Sequence, residues 1–187
     1  MRVLGIDPGL GRTGFAVVDG SPGRLSLVAA DRVDTVPQTD EAARLLSLFE
    51  LVADVVATHA PEAVAVEQLF FSTNKRTAMR VGQARGVILL AMARAGLAVH
   101  EYTPTQVKHA VCGYGKADKR QVGRMTRALL ALDETRDDVA DACAVAVCHH
   151  NRARLGAMTT RRSAHQPVSA LDLAVSRARA RLQVLGR

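Results

Sequence analysis

Three apolar stretches of this 187-residue chain carry a carboxylate where a buried segment should run uninterrupted. Asp7 follows VLGI, Glu67 follows AVAV, and Asp138 with Asp141 fall inside DDVADACAVAV. A carboxylate among residues that favour burial is costly unless it is hydrogen-bonded, paired or bound to a metal. Two such charges about 4 Å apart repel by about 4 kcal/mol even at an effective dielectric near 20. Four of them point to one shared cation site, and an all-oxygen donor set suits Mg²⁺ or Mn²⁺.

The length fits one globular domain, and 48% hydrophobic residues are enough for its core. Aromatic residues make up only 3%, with no Trp, so that core must be aliphatic. Met1-Arg2 leads straight into an apolar strand pattern, which predicts no signal peptide. The longest apolar run, residues 86–93, falls far short of the roughly 20 residues a membrane span needs, so no membrane association is expected. Cys112, Cys143 and Cys148 form no CxxC pair, and their odd number favours buried thiols in a cytosolic protein.

Charge is unevenly spread. Residues 1–67 carry 5 basic and 10 acidic groups, residues 68–127 carry 11 and 2, residues 128–150 carry 1 and 5, and residues 151–187 carry 8 and 1. An acidic pocket beside a strongly basic block suits a metal-dependent enzyme acting on a polyanion: the pocket holds cations and the rim attracts phosphate. Any single Arg here reads more simply as part of a solvated helix face. The excess across residues 68–127 does not.

Short apolar runs predict strands at 2–6, 13–18 and 25–33, broken by Pro8-Gly9 with Gly11 and by Gly20 to Gly23, as an antiparallel meander. Asp40 reads as the N-cap of a helix over 41–59, with Leu45, Leu48, Phe49, Val52 and Val55 on one face. A buried strand over 63–66 delivers Glu67 at its end. Helix 75–95, strand 97–102, a short helix opened by Pro104, helix 118–132 and a last helix from Asp137 or Asp138 to about His150 follow. This order predicts an α/β fold: a five-stranded mixed sheet, meander plus parallel strands, flanked by helices. Residues 1–150 make the domain, and 151–187 form a basic tail, either helical or disordered.

Each acid has a plainer reading. An Asp before Pro-Gly also caps turns, and Asp137 or Asp138 suits a helix N-terminus. Glu67 at the carboxyl end of a buried strand is harder to explain structurally, and such sheet ends are where α/β folds place chemistry. Asp138 and Asp141, spaced i,i+3, share one side of a helix. Arg76 and Arg80 are i,i+4 and share a face that suits contact with a phosphate backbone, with Lys75 and Arg85 in the same block. Of six aromatic residues, Phe70 and Phe71 stand together between Glu67 and this block; Phe70 is the candidate to stack on bases and Phe71 to plug the core.

The segments GIDPGLGRTG, AVEQLFF, GQARGV, EYTPTQVKHAVCGYGKADK and DDVADACAVAVCH, in this order and spacing, resemble the RuvC family of Holliday-junction resolvases within the RNase H-like superfamily. The resemblance covers about four fifths of the chain and implies an RNase H-like three-layer fold. It assigns Asp7, Glu67, Asp138 and Asp141 as metal-binding catalytic acids; some relatives carry His at one of the last two positions. Lys108 and Lys119 match lysines near the scissile phosphate, Lys119 as a catalytic group, although Lys119 also reads as a solvent-facing first-turn lysine. Phe70 matches an aromatic residue at the junction, and Lys75, Arg76, Arg80, Lys108, Lys116 and Arg120 are candidate DNA contacts. Two Mg²⁺ (or Mn²⁺) per site are implied, one activating water and the other stabilising the leaving 3′-oxygen, with Asp7 shared between them.

A C2 homodimer would match the near two-fold symmetry of a four-way junction. The helix over 75–95, with Val81, Ile88, Leu89 and Met92, serves as its interface or packs on the sheet. A branch-migration helicase complex, RuvA-RuvB, is the implied partner, and a bacterial, cytoplasmic, nucleoid-associated location goes with it. Three other readings compete, one of them a non-catalytic junction-binding protein, which the intact set of four acids disfavours. A related nuclease acting on structured RNA shares the opening motif. An actin-like ATPase shares the first phosphate loop, although 187 residues leave no room for its second lobe.

Overall fold

The computed structural model describes residues 1–35, 40–68, 75–132 and 136–159, with the side chains of 75, 76 and 154–159 excepted. Strands β1 (Arg2–Asp7), β2 (Arg12–Ser21) and β3 (Arg24–Asp34) form the antiparallel meander. A two-residue turn, Pro22-Gly23, joins β2 to β3; Gly23 has φ +86°, a conformation that favours glycine. Helix α1 (Glu41–His59) starts on Asp40, whose side chain accepts from the Ala42 N–H. Strand β4 (Ala63–Glu67), helix α2 (Lys75–Ala95) and strand β5 (Val99–Tyr102) complete a five-stranded sheet ordered β3-β2-β1-β4-β5, with β4 parallel to β1 and β5. Helices α3 (Pro104–Cys112) and α4 (Lys119–Leu130) each open on a capping box, Thr103 with Gln106 and Asp118 with Gln121.

Helix α5 (Asp137–Thr159) runs past the expected end near His150, since the expectation stopped where the apolar run stops and the Ala, Arg and Leu that follow still favour helix. The chain divides into two compact units, Met1–Arg154 and Leu155–Arg187. The site lies in the first.

Alternation along the strands builds three layers. Leu4, Ile6, Val17, Val64 and Val66 pack against Leu48, Val52 and Val55 of α1 and Ala84, Ile88 and Met92 of α2. Val3, Ala16, Val18 and Ala65 face the other way, onto Ala142 to Cys148 of α5 and onto Val107, Val111, Val122 and Leu130 of α3 and α4. Ile88 and Met92 are fully buried, so they are core rather than interface. The outward face of α2 instead presents Met79, Gly82, Gly86 and Leu90.

Cys143 and Cys148 are buried free thiols, pushed up to about 12 by burial, and Cys112 is a partly exposed one. No helix among the described residues is long and apolar enough to cross a membrane.

Candidate active site

Ile6 and Val66 are neighbours in the parallel β1–β4 pair, so Asp7 and Glu67 reach the same end of the sheet. Because Ile6 and Val66 point at α1 and α2, the next residue on each strand turns toward α5. Two glycines let α5 come close. A Cβ on Gly5 would lie 2.1 Å from the Ala142 carbonyl oxygen, and one on Gly14 2.1 Å from that of Asp138. Gly14 is the register partner of Asp7. The first turn of α5 therefore presses on the residue beside Asp7, and Asp138 and Asp141 enter its field.

The field is strong. Burial pushes the Asp7 carboxyl up to about 7; Asp141, Glu67 and Asp138 add to the rise, and Lys119 opposes it. Burial also raises Glu67, with Asp141 adding and Lys119 and Lys108 opposing. Burial raises Asp141 against the hydrogen bond from Lys119.

Two cations already stand among the acids. Lys119 Nζ lies 3.1 Å from Asp141 Oδ2 and 3.5 Å from Asp137 Oδ2. Arg32, on β3, donates through Nη1 to Asp138 Oδ2 at 3.4 Å, while its Nε and Nη2 donate to Asp34 Oδ2 at 3.1 and 2.8 Å.

Asp7, Asp138, Arg32 and Lys119 line a hollow of about 840 Å³ with Arg12, Arg80 and Arg136 also on its wall. Glu67, Asp141, Lys108 and Lys119 line a second of about 240 Å³. Lys119 belongs to both.

Oxygen donors alone, crowded at one sheet end, have the chemistry a hard divalent cation takes, and among the described residues the Asp7 carboxyl has no hydrogen bond to offset its burial. Among the described residues, however, no three carboxylate, imidazole or thiolate groups stand close enough to enclose one ion as arranged. The fit is thus one of donor type and field. As arranged, Lys119 and Arg32 hold oxygens of Asp141, Asp137 and Asp138.

The turn after Asp7 is braced by residues that sequence reasoning passed over. Thr13 Oγ1 donates to the Gly9 carbonyl at 2.6 Å. Buried Arg44 donates to the Leu10 carbonyl at 3.1 Å and to Thr35 Oγ1 at 2.9 Å. Arg44 precedes Leu48 by four on the buried face of α1, and that spacing was the available signal.

Of the candidate DNA contacts, Lys108 and Arg80 line the two hollows. Lys116 is exposed and lines neither. Phe70, with Phe71, lies outside the described residues, as do the side chains of Lys75 and Arg76. Arg85 ion-pairs with Glu101 of β5 and serves the fold.

Residues 3–149 match the family model for RuvC, crossover junction endodeoxyribonuclease. A crossover junction endodeoxyribonuclease RuvC of Heliobacterium modesticaldum is 55% identical over 150 residues, covering 79% of this chain and 93% of the relative. One from Pelotomaculum thermopropionicum is 48% identical over 151 residues, covering 80% and 92%. Among solved structures, Thermus thermophilus RuvC in complex with a Holliday junction substrate superposes with a TM-score of 0.80 at 39% identity, covering 83% of this chain and 96% of that one. A yeast mitochondrial Holliday junction resolvase, 15% identical with a TM-score of 0.62 and covering 83% and 80%, shares the fold.

Proposed function

The chain belongs to the RuvC family of crossover junction endodeoxyribonucleases, and from that premise we propose which of its residues cut a four-way junction and how. It is a metal-dependent endonuclease that resolves Holliday junctions in recombination and repair. The observation that carries the residue assignment is the convergence of Glu67, Asp138 and Asp141 on the half-buried Asp7.

Asp7, Glu67, Asp138 and Asp141 would hold two Mg²⁺ (or Mn²⁺). Bound there, divalent ions supply a nucleophilic water at neutral pH and stabilise the leaving oxygen. Asp7, Glu67 and Asp141 are disfavoured as anions by burial, so each gains from an added positive charge. Lys119, with three donors on a flexible stem, turns from Asp141 to a phosphate oxygen and offsets charge that builds up in the transition state. Lys108 approaches the same phosphate from the hollow it shares with Glu67.

Arg80, with Lys75, Arg76, Lys116 and Arg120, contacts the DNA backbone, and Phe70 stacks on a base. The outward stripe of α2, Met79, Gly82, Gly86 and Leu90, is the interface of a C2 dimer. Two sites so related deliver paired nicks to opposed strands. A branch-migration helicase complex supplies the junction.

A divalent-ion titration on a mobile four-way junction, a plain duplex and a structured RNA tests this. Metal-dependent symmetric nicks confined to the junction are expected. Cutting that ignores divalent ions, or that prefers the RNA, overturns it.

A further inference from the structure

Helix α4 carries arginines at 120, 124 and 127, a spacing that gathers them on one face. Val122, Thr126 and Leu130 take the buried face. Among the described residues the side chains of these three arginines make no ion pair or hydrogen bond, whereas those of Arg2, Arg32, Arg44 and Arg85 are engaged. They line a groove of about 520 Å³ together with Gly123. A Cβ on Gly123 would meet nothing closer than Arg127 Nη2 at 3.9 Å, so packing does not demand glycine there. A mid-helix glycine costs helix stability, and what it gains here is an open groove floor. The groove meets the two carboxylate hollows at Lys119, Asp137 and Asp141.

We propose that this α4 groove is a track for the phosphate backbone of the junction strand leaving the active site, gripped by Arg120, Arg124 and Arg127; it rests on the nuclease reading above. Residues 120 to 127 span roughly 10 Å along the helix, about the axial rise of three phosphates on one strand. Arg forks pair with phosphate oxygens in two-point contacts. The continuity of the groove with the carboxylates selects DNA over an acidic protein, because the scissile strand must pass both.

The test uses full-length Arg124→Gln, Arg127→Gln and the double variant, measured for junction affinity over a range of salt. Each lost contact should lower the slope of log affinity against log salt by about 1 and weaken binding roughly 3- to 10-fold at moderate salt. The cutting rate at saturating junction should stay within about twofold, the pattern of a contact that serves binding alone. Arg124→Lys keeps the charge and should keep the slope. Arg24→Gln, outside every hollow described here, controls for net charge and should leave affinity unchanged.

An unchanged slope in the double variant overturns the proposal, and so does an equal loss in Arg24→Gln. An acidic protein as the true occupant gives the first of these results. Wild-type cutting is assayed alongside: its absence together with slope loss sinks the nuclease reading and leaves the groove standing.

Discussion

Replacing Asp7 by Asn removes a charge from a place where the folded protein disfavours it, and the consequence is opposite for stability and for activity. The carboxyl is raised from 3.8 to about 7, first by burial and then by Asp141, Glu67 and Asp138. At 1.36 kcal/mol per unit, about three units amount to an upper figure of about 4 kcal/mol. Below pH 3.8 the group is protonated in folded and unfolded chains alike and contributes nothing. Between pH 3.8 and about 7 the unfolded chain ionises first, so wild-type stability falls as pH rises, and above about 7 the loss is complete. Asn has no such cost.

Metal-free Asp7→Asn should therefore match wild type near pH 4 and exceed it by up to about 4 kcal/mol at pH 8. His149, lowered to about 4 by burial, tilts stability the other way over the same range; it does so in both proteins and cancels in the difference. Urea unfolding in chelator at pH 4, 6 and 8 reads the stability. At pH 8 with Mg²⁺ the variant should bind the junction with little loss and fail to cut it, and Mg²⁺ should stabilise wild type only. A variant less stable than wild type at pH 8 in chelator, or one that still cuts, refutes the reasoning.

Gly14→Ala places a methyl 2.1 Å from the Asp138 carbonyl oxygen, so α5 must shift. A loss of about 1–3 kcal/mol in chemical denaturation, with cutting reduced far more than junction affinity, is expected. Lys119→Ala should slow single-turnover cutting more than it weakens binding, since the ammonium is aimed at charge that develops only in the transition state. Equal losses in the two measurements would count against that role.

The sheet and the four acids were legible because both leave local marks: short apolar runs bounded by turn residues, and carboxylates that interrupt them. Less visible was what stands between the acids. Arg32 lies on the edge strand β3, 106 residues from its partner Asp138, and no local pattern links an edge residue to the start of a distant helix. Lys119 was legible as a lysine near phosphate, yet its pairing with Asp141 and Asp137 depends on where α4 docks. The expectation of one shared cation site thus meets a cluster whose charges are partly offset by the protein's own cations. The length of α5 was missed because burial pattern, not helix propensity, was used to end it. For Ile88 and Met92 the choice between interface and core stayed open, because apolar residues on a helix do not reveal which of two faces the sheet takes; both are buried.

The small residues of the α5-facing side of the sheet tie composition to chemistry. Gly5 lies against Ala142 and Ala146, Gly14 lies against Asp138 and Val139, and Ala16 and Ala65 belong to the same core cluster; larger side chains at the two glycines would hold the helix backbone off the strands. Asp138 and Asp141 project from that helix, whereas Asp7 and Glu67 project from the strands beneath it. The gap between the two pairs is therefore set by residues that carry no function of their own. An aspartate cannot compensate for a helix displaced by a methyl group or more, because its reach is fixed by two short bonds. The glycines of β1 and β2 and the run of alanines in α5 thus meet one geometric requirement, the close approach of α5 to the strand end that carries Asp7.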